Sequence, residues 1–334
     1  MMDNTNYAYA VSRIRVLETR LLGRDKIDRM LEAANAQDAF KVLAETEYGT
    51  HMEDIGEAYK YEAVLSKEIK RVYSLIKSLM PQPKIMDMFC IKYDVHNIKV
   101  LYKNRFLNIK GSLPLIDVGS IPIDRLTEII KEKNYKDLPL PIAQTLRKLD
   151  EITAIRPDPQ HINLMLDRAM FEAINDMAAR FRYPFIKELA AIQADVTNIM
   201  SFLRIKAMEG GSPLLDKVLV TGGKLEMSFF TEMADQSVDA FSSRLEYSPY
   251  GQLLKEGIEH FTKTGKLSRL EKLADDYIME YLREHKSNPL GPEALIGYLL
   301  AKENEIKIIR IIMVGKINGI KSQVIKERLR DVYV

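Results

Sequence analysis

The chain has 334 residues, room for two or three domains of ordinary size, and 46% of them are hydrophobic, enough for a sizeable core. The 49 basic residues nearly balance the 47 acidic ones, which excludes a dedicated nucleic-acid binder, because counterion release requires a concentrated basic face. The single cysteine, Cys90, excludes an intramolecular disulfide framework and is expected in a reducing compartment as a small buried hydrophobe.

In chain order, helical periodicity dominates. Met1 to Tyr9 is polar, with no apolar signal core, so secretion is not expected. Tyr9, Ile14, Leu17, Leu21 and Leu22 form a stripe close to helical spacing, on a segment that also carries Arg13, Arg15 and Arg20. Tyr61, Leu65, Ile69, Val72, Ile76 and Leu79 form a second, ended by Pro81-Gln82-Pro83. Leu113–Ile121 and Lys217–Val220 alternate like strands but are short and bounded by Gly and Pro, and so are expected to be irregular connectors. Arg156-Pro157-Asp158-Pro159 should lead into a helix from Gln160, whose stripe runs through Met165 to Phe181, and Gly210-Gly211-Ser212-Pro213 is a stop. Further stripes cover Leu267–Leu282 and Leu295–Ile312, separated by the turn Asn288-Pro289-Leu290-Gly291-Pro292. A last helix is expected over Ser322–Leu329. The most apolar stretch, Ile306–Ile317, is broken by Lys307, Arg310 and Lys316, so no membrane-spanning helix is expected. The expected fold class is all-α.

The chain also resembles itself. Asp94-Val95-His96-Asn97-Ile98 matches Asp195-Val196-Thr197-Asn198-Ile199, and Asn304-Glu305-Ile306 places Glu305 at the asparagine position. Asn97 and Asn198 are 101 residues apart, and Glu305 follows after another 107. Each segment is preceded by a long amphipathic helix, and Ile27-Asp28-Arg29-Met30 matches Ile123-Asp124-Arg125-Leu126. Three pseudo-symmetric helical copies follow, at 1–110, 111–211 and 212–334. This period is far longer than that of helical solenoids, about 33–47 residues, so a compact body is expected rather than a superhelix. Asn97, Asn198 and Glu305 are candidate repeat-signature residues, either making an internal hydrogen bond or cap, or repeating a partner contact.

The run from Gly297-Tyr298-Leu299-Leu300 through Lys302-Glu303-Asn304-Glu305-Ile306 to Gly315-Lys316-Ile317-Asn318-Gly319 resembles the C-terminal signature of the C-type stalk component of archaeal and bacterial A/V-type rotary ATPases, the counterpart of the d-type component of the eukaryotic vacuolar enzyme. Tyr7-Ala8-Tyr9-Ala10, Glu47-Tyr48-Gly49 and the Asp-Val-x-Asn-Ile pattern are similar to the same family. The resemblance implies a funnel-like, all-α, non-catalytic central-stalk subunit. Its partners would be the central shaft subunits (D and F type) and the membrane proteolipid ring, on the cytoplasmic face. It would pass torque during ATP-coupled H+ or Na+ transport, without a cofactor.

Candidate partner-binding residues are Arg13, Arg15 and Arg20 on the N-terminal helix and Lys316, Lys321, Lys326, Arg328 and Arg330 on a helix expected from Lys316 to Arg330, a basic face interleaved with Glu327 and Asp331 that could equally be solvated surface. A P-loop is not found: Thr264-Gly265-Lys266-Leu267 and Val314-Gly315-Lys316-Ile317 lack the hydroxyl and the earlier glycine. Asp275-Asp276-Tyr277-Ile278-Met279 approaches the aspartate-rich magnesium site of helical prenyl-diphosphate enzymes but has Met279 at the third carboxylate position. The five histidines show no metal-ligand spacing. The alternatives are a generic helical adaptor and, behind it, a helical magnesium-dependent prenyl-diphosphate enzyme.

Overall fold

The computed structural model describes residues 5–53, 55–107, 113–153, 158–208 and 214–334. The described residues form helices and short 3-10 turns and contain no strand, as the sequence periodicity requires. They fall into two compact units, Lys84–Gly251 and a second unit that joins Met1–Pro83 to Gln252–Val334. Both boundaries expected from the repeat, after residues 110 and 211, lie outside the described residues, as do the Gly210–Pro213 stop and Arg156-Pro157.

The unit built from both ends of the chain holds α1 (Thr5–Glu18), α2 (Arg24–Glu32), α3 (Ala36–Leu43) and α4 (Tyr61–Leu79). The Lys84–Gly251 unit holds α5 (Lys84–Leu107), α6 (Ile123–Glu132), α7 (Leu140–Thr153), α8 (Pro159–Arg180), α9 (Pro184–Lys206), α10 (Leu215–Val218), α11 (Met227–Glu232) and α12 (Val238–Arg244). The terminal unit is completed by α13 (Gly251–Thr264), α14 (Ser268–His285), α15 (Glu293–Ile317) and α16 (Ser322–Lys326).

Local chemistry sets several of these boundaries. Asp158 accepts from the Gln160 and His161 amides at 2.9 and 3.3 Å, and Pro159 follows in the first turn, so α8 starts there. Asn35 caps α3 through the Asp38 amide at 2.9 Å. The C-terminus of α15 is a Schellman motif: Gly319 adopts φ +65°, its amide bonds the Lys316 carbonyl, and the Ile320 amide bonds the Gly315 carbonyl at 2.8 Å. The chain reverses there, so Lys316–Arg330 is not one helix. The helix expected over Ser322–Leu329 stops at Lys326.

α15 is the centre of the terminal unit. Most of its circumference is enclosed, with Leu295, Ile296, Leu299, Ile309, Ile312 and Met313 buried, while Arg310 and Val314 near its C-terminal end stay exposed. It packs on α1, α2, α3, α4, α14 and α16. In the Lys84–Gly251 unit, α8 packs on α5, α7 and α9. The rings of Phe202 and Phe241 stack at 4.3 Å with Phe230 beside them, which joins α9 to α11 and α12.

Candidate interaction site

The repeat-signature residues act on backbone. Asn97 on α5 donates to the Ile116 carbonyl and accepts from the Ile116 amide, both at 2.8 Å. Asn198 on α9 does the same to Val220, at 2.9 and 2.8 Å. A side-chain amide carries a donor and an acceptor with the spacing of a peptide edge, so it satisfies an irregular segment where no helix or strand does. One turn earlier, Asp94 accepts from the Ser120 amide and hydroxyl and the Ile121 amide. Asp195 accepts from the Lys224 and Leu225 amides and the Tyr250 hydroxyl. Ile116 lies seven residues before α6 and Val220 seven before α11, so in both cases the pair holds the entry to the following helix. The carboxylates approach closely because Gly119 and Gly223 precede the capped amides: a Cβ there would lie 2.1 and 2.0 Å from the aspartate oxygens.

In the terminal unit the same two positions of α15 carry Lys302 and Glu305. Glu305 accepts the Leu22 amide at 2.5 Å, just before α2, and the Tyr48 hydroxyl at 2.7 Å. Lys302, fully buried, lies 2.7 Å from Glu305, 3.2 Å from Glu68 and 3.8 Å from Glu47. Arg71 binds Glu68 at 2.7 Å and Glu47 at 3.0 Å, and His51 Nε2 lies 3.0 Å from Glu68. Burial disfavours the Lys302 ammonium, but the charges of Glu305 and Glu68 outweigh it and hold its pKa above the ordinary lysine value. Burial likewise works to raise Glu68, yet the Arg71 hydrogen bond and the Lys302 charge prevail and keep it ionised below the ordinary range. Burial pushes the Tyr298 hydroxyl up to about 12. This cluster unites α4, α15, the turn at Glu47-Tyr48 and the entry to α2.

The basic candidates divide by environment. Arg13 is exposed. Arg15 is half-buried, held by Glu18 and the Lys286 carbonyl, and Arg20 reaches Glu47 at 3.4 Å. Lys316 turns inward onto the Ala33 carbonyl and Ser322 hydroxyl, and Arg330 is buried against Asp275 at 2.8 Å. Lys321, Lys326 and Arg328 are exposed.

Arg328 and Arg330 also border a groove of about 330 Å³ between α14, α15 and α16. Its floor is Ile311, Val314, Gly315, Ile320, Val324 and Ile325, and its rim adds Lys307 and Arg310 against the single carboxylate Glu271. Lys307, Arg310, Ile311 and Val314 follow helical spacing, so α15 presents cations and aliphatics on one stripe. Gly315 lets α16 close the end, since a Cβ there would lie 2.5 Å from Ile325 Cδ1. The groove was not legible in the sequence, because its two walls meet only through the turn at Gly319.

Asp275 and Asp276, the candidate magnesium ligands, are engaged otherwise: Asp275 pairs with Lys307 and Arg330, and Asp276 pairs with Lys272 and accepts the Asp331 amide. Met279, at the third carboxylate position, is buried.

A family model described as ATP synthase (C/AC39) subunit matches residues 10–328. The chain belongs to this family. Among its relatives, the C-type component of the V-type sodium ATPase of Enterococcus hirae is 26% identical over 320 residues, covering 96% of this chain and 97% of that protein. The C-type component of the A-type ATP synthase of Methanocaldococcus jannaschii is 26% identical over 348 residues, covering 98% of this chain and 87% of the relative. That of Desulfurococcus sp. is 24% identical over 345 residues, with 98% and 92% covered. In this C/AC39 family member, the paired grips at Asp94/Asn97, Asp195/Asn198 and Lys302/Glu305 are internal fastenings. Among the described residues no helix is long and apolar enough to cross a membrane.

Proposed function

We propose that this chain is the non-catalytic central-stalk subunit of a rotary ATPase, a socket joining the D- and F-type shaft subunits to the membrane proteolipid ring and passing torque between them during ATP-coupled H+ or Na+ transport. The observation that carries the reading is the match of nearly the whole chain to the C/AC39 family, together with relatives named as C-type components of a V-type sodium ATPase and of A-type ATP synthases. The internal construction supports it. A torque-bearing element needs stiffness, and three buried polar grips fasten irregular segments onto long packed helices. The reading includes three related copies, with boundaries near residues 110 and 211, arranged as a funnel-like body on the cytoplasmic face. Arg13, Arg20, Lys321, Lys326 and Arg328 are the exposed candidates for partner contact, Arg20 while reaching Glu47; Arg15, Lys316 and Arg330 would contribute only by exchanging their internal partners. A tagged pull-down from detergent-solubilised membranes tests this: the catalytic head, the shaft subunits and the proteolipid should be recovered together. Recovery of the tagged chain alone, from membranes whose ATPase is intact, would overturn it.

A further inference from the structure

The groove beside α16 has features that internal packing does not require. Val314, Ile320 and Val324 are all among the large hydrophobic side chains left exposed, at 42, 37 and 41%, and all three line the same 330 Å³ concavity. Clustered exposure of this kind marks an interaction surface, whereas single exposed aliphatics are ordinary. Four cations face or border the groove against one carboxylate. Lys307, Arg310 and Arg330 have internal partners in Asp275, Glu62 and Asp275. Arg328 is exposed and makes no ion pair among the described residues; exposed Lys321 and Lys326 make none either, and Glu327 is the exposed carboxylate beside them.

We infer that this groove docks an acidic, aliphatic helix of another polypeptide of the assembly. Its aliphatic side chains would enter the trough over Val314, Ile320 and Val324, and its carboxylates would meet Arg328 and the outer faces of Arg310 and Lys307. Charge selects an anionic partner, since a basic segment would bring like charges together over a largely apolar floor. Shape selects a helix. Most of the lining lies on α14, α15 and α16, whose backbone groups bond within the helices, so an extended strand would find little edge to bond, whereas a helix arrives with its own hydrogen bonds made. A bilayer surface is flat and would leave the concavity unfilled.

The inference rests on the assembly reading above, and the test separates the two. A benzophenone amino acid is placed at Val324 in the full chain, with a control at Tyr247, which is 97% exposed in the other unit. The assembled ATPase is isolated, irradiated and mapped by mass spectrometry. The expected result is an adduct from position 324 on a carboxylate-rich segment with helically spaced aliphatics in another subunit. In the Arg328→Glu background its yield should fall about fivefold, with Arg328→Lys retaining it. An intact complex that gives no adduct at 324, or adducts only to lipid, to a basic segment or to a second copy of this chain, overturns the docking inference while leaving the stalk reading in place. Failure of the chain to enter any ATPase complex removes both.

Discussion

Glu305 accepts the backbone amide of Leu22 at 2.5 Å, across 283 residues of sequence. It does for the entry to α2 what Asn97 does for Ile116 and Asn198 for Val220. The polar signature residue of each long helix thus holds the segment leading into a shorter helix, and in the third case that helix lies at the beginning of the chain.

Asn198 is the most enclosed of the three grips, with both of its hydrogen bonds buried. Asn198→Ala would orphan the Val220 amide and carbonyl, at a cost of roughly 2–4 kcal/mol. Urea unfolding combined with hydrogen exchange at Val220 checks this. A loss below about 0.5 kcal/mol, the level of an ordinary surface substitution, would show that the grip contributes little.

The Lys302 cluster should behave as a unit. Lys302→Met leaves Glu68 and Glu305 without their shared cation and should cost about 3–5 kcal/mol. Adding Glu305→Gln removes one stranded charge and retains an acceptor for the Leu22 amide, so the double variant should be more stable than the single one. Equal or greater loss in the double variant would contradict the arrangement.

Glu68 gives the terminal unit a signed dependence on pH. Its folded pKa lies below the ordinary glutamate value, so its contribution is present above about pH 4.3, the unfolded value, and is lost as the pH falls through the folded one. The stability gap between the natural chain and Glu68→Gln should therefore be full at neutral pH and shrink in that acid window. Denaturant melts across the range measure it; a gap that widens on acidification has the wrong sign.

The turn that forms the groove depends on two glycines for different reasons. Gly319 sits at φ +65° with open space around it, so Gly319→Ala meets only backbone strain, about 1–2 kcal/mol. Gly315→Ala drives a methyl against Ile325 and should cost about 1–3 kcal/mol while loosening α16. Hydrogen exchange over residues 322–326 should rise more in Gly315→Ala than in a control at the exposed Gln323→Ala.

Much of this was legible in the sequence. The 3.6-residue periodicity is a local property, so the long helices and the all-α class followed from it. The spacing of Asn97, Asn198 and Glu305 pointed to a shared position. What it could not reveal were the recipients of the grips: Ile116 and Val220 lie in short alternating stretches and Leu22 ends the first helical stripe, and periodicity assigns no polar partner to a backbone amide. Asp94, Asp195 and Lys302, three residues before each signature residue, were visible in the same motif, but a charge change from Asp to Lys masks their equivalence. The basic C-terminal stretch read as one face because charge can be counted without geometry. Gly319 breaks it, burying Arg330 and turning Lys316 inward while Arg328 stays exposed.

In its proposed role this chain couples the ATP-driven head to the ion-carrying ring. The most direct test compares membranes with and without the chain, measuring ATP hydrolysis and ion uptake in the same vesicles. Removal should leave the head able to hydrolyse ATP while ion transport is lost, and adding back the purified chain should restore transport. Ion transport that continues at the same ratio to hydrolysis without the chain would contradict it.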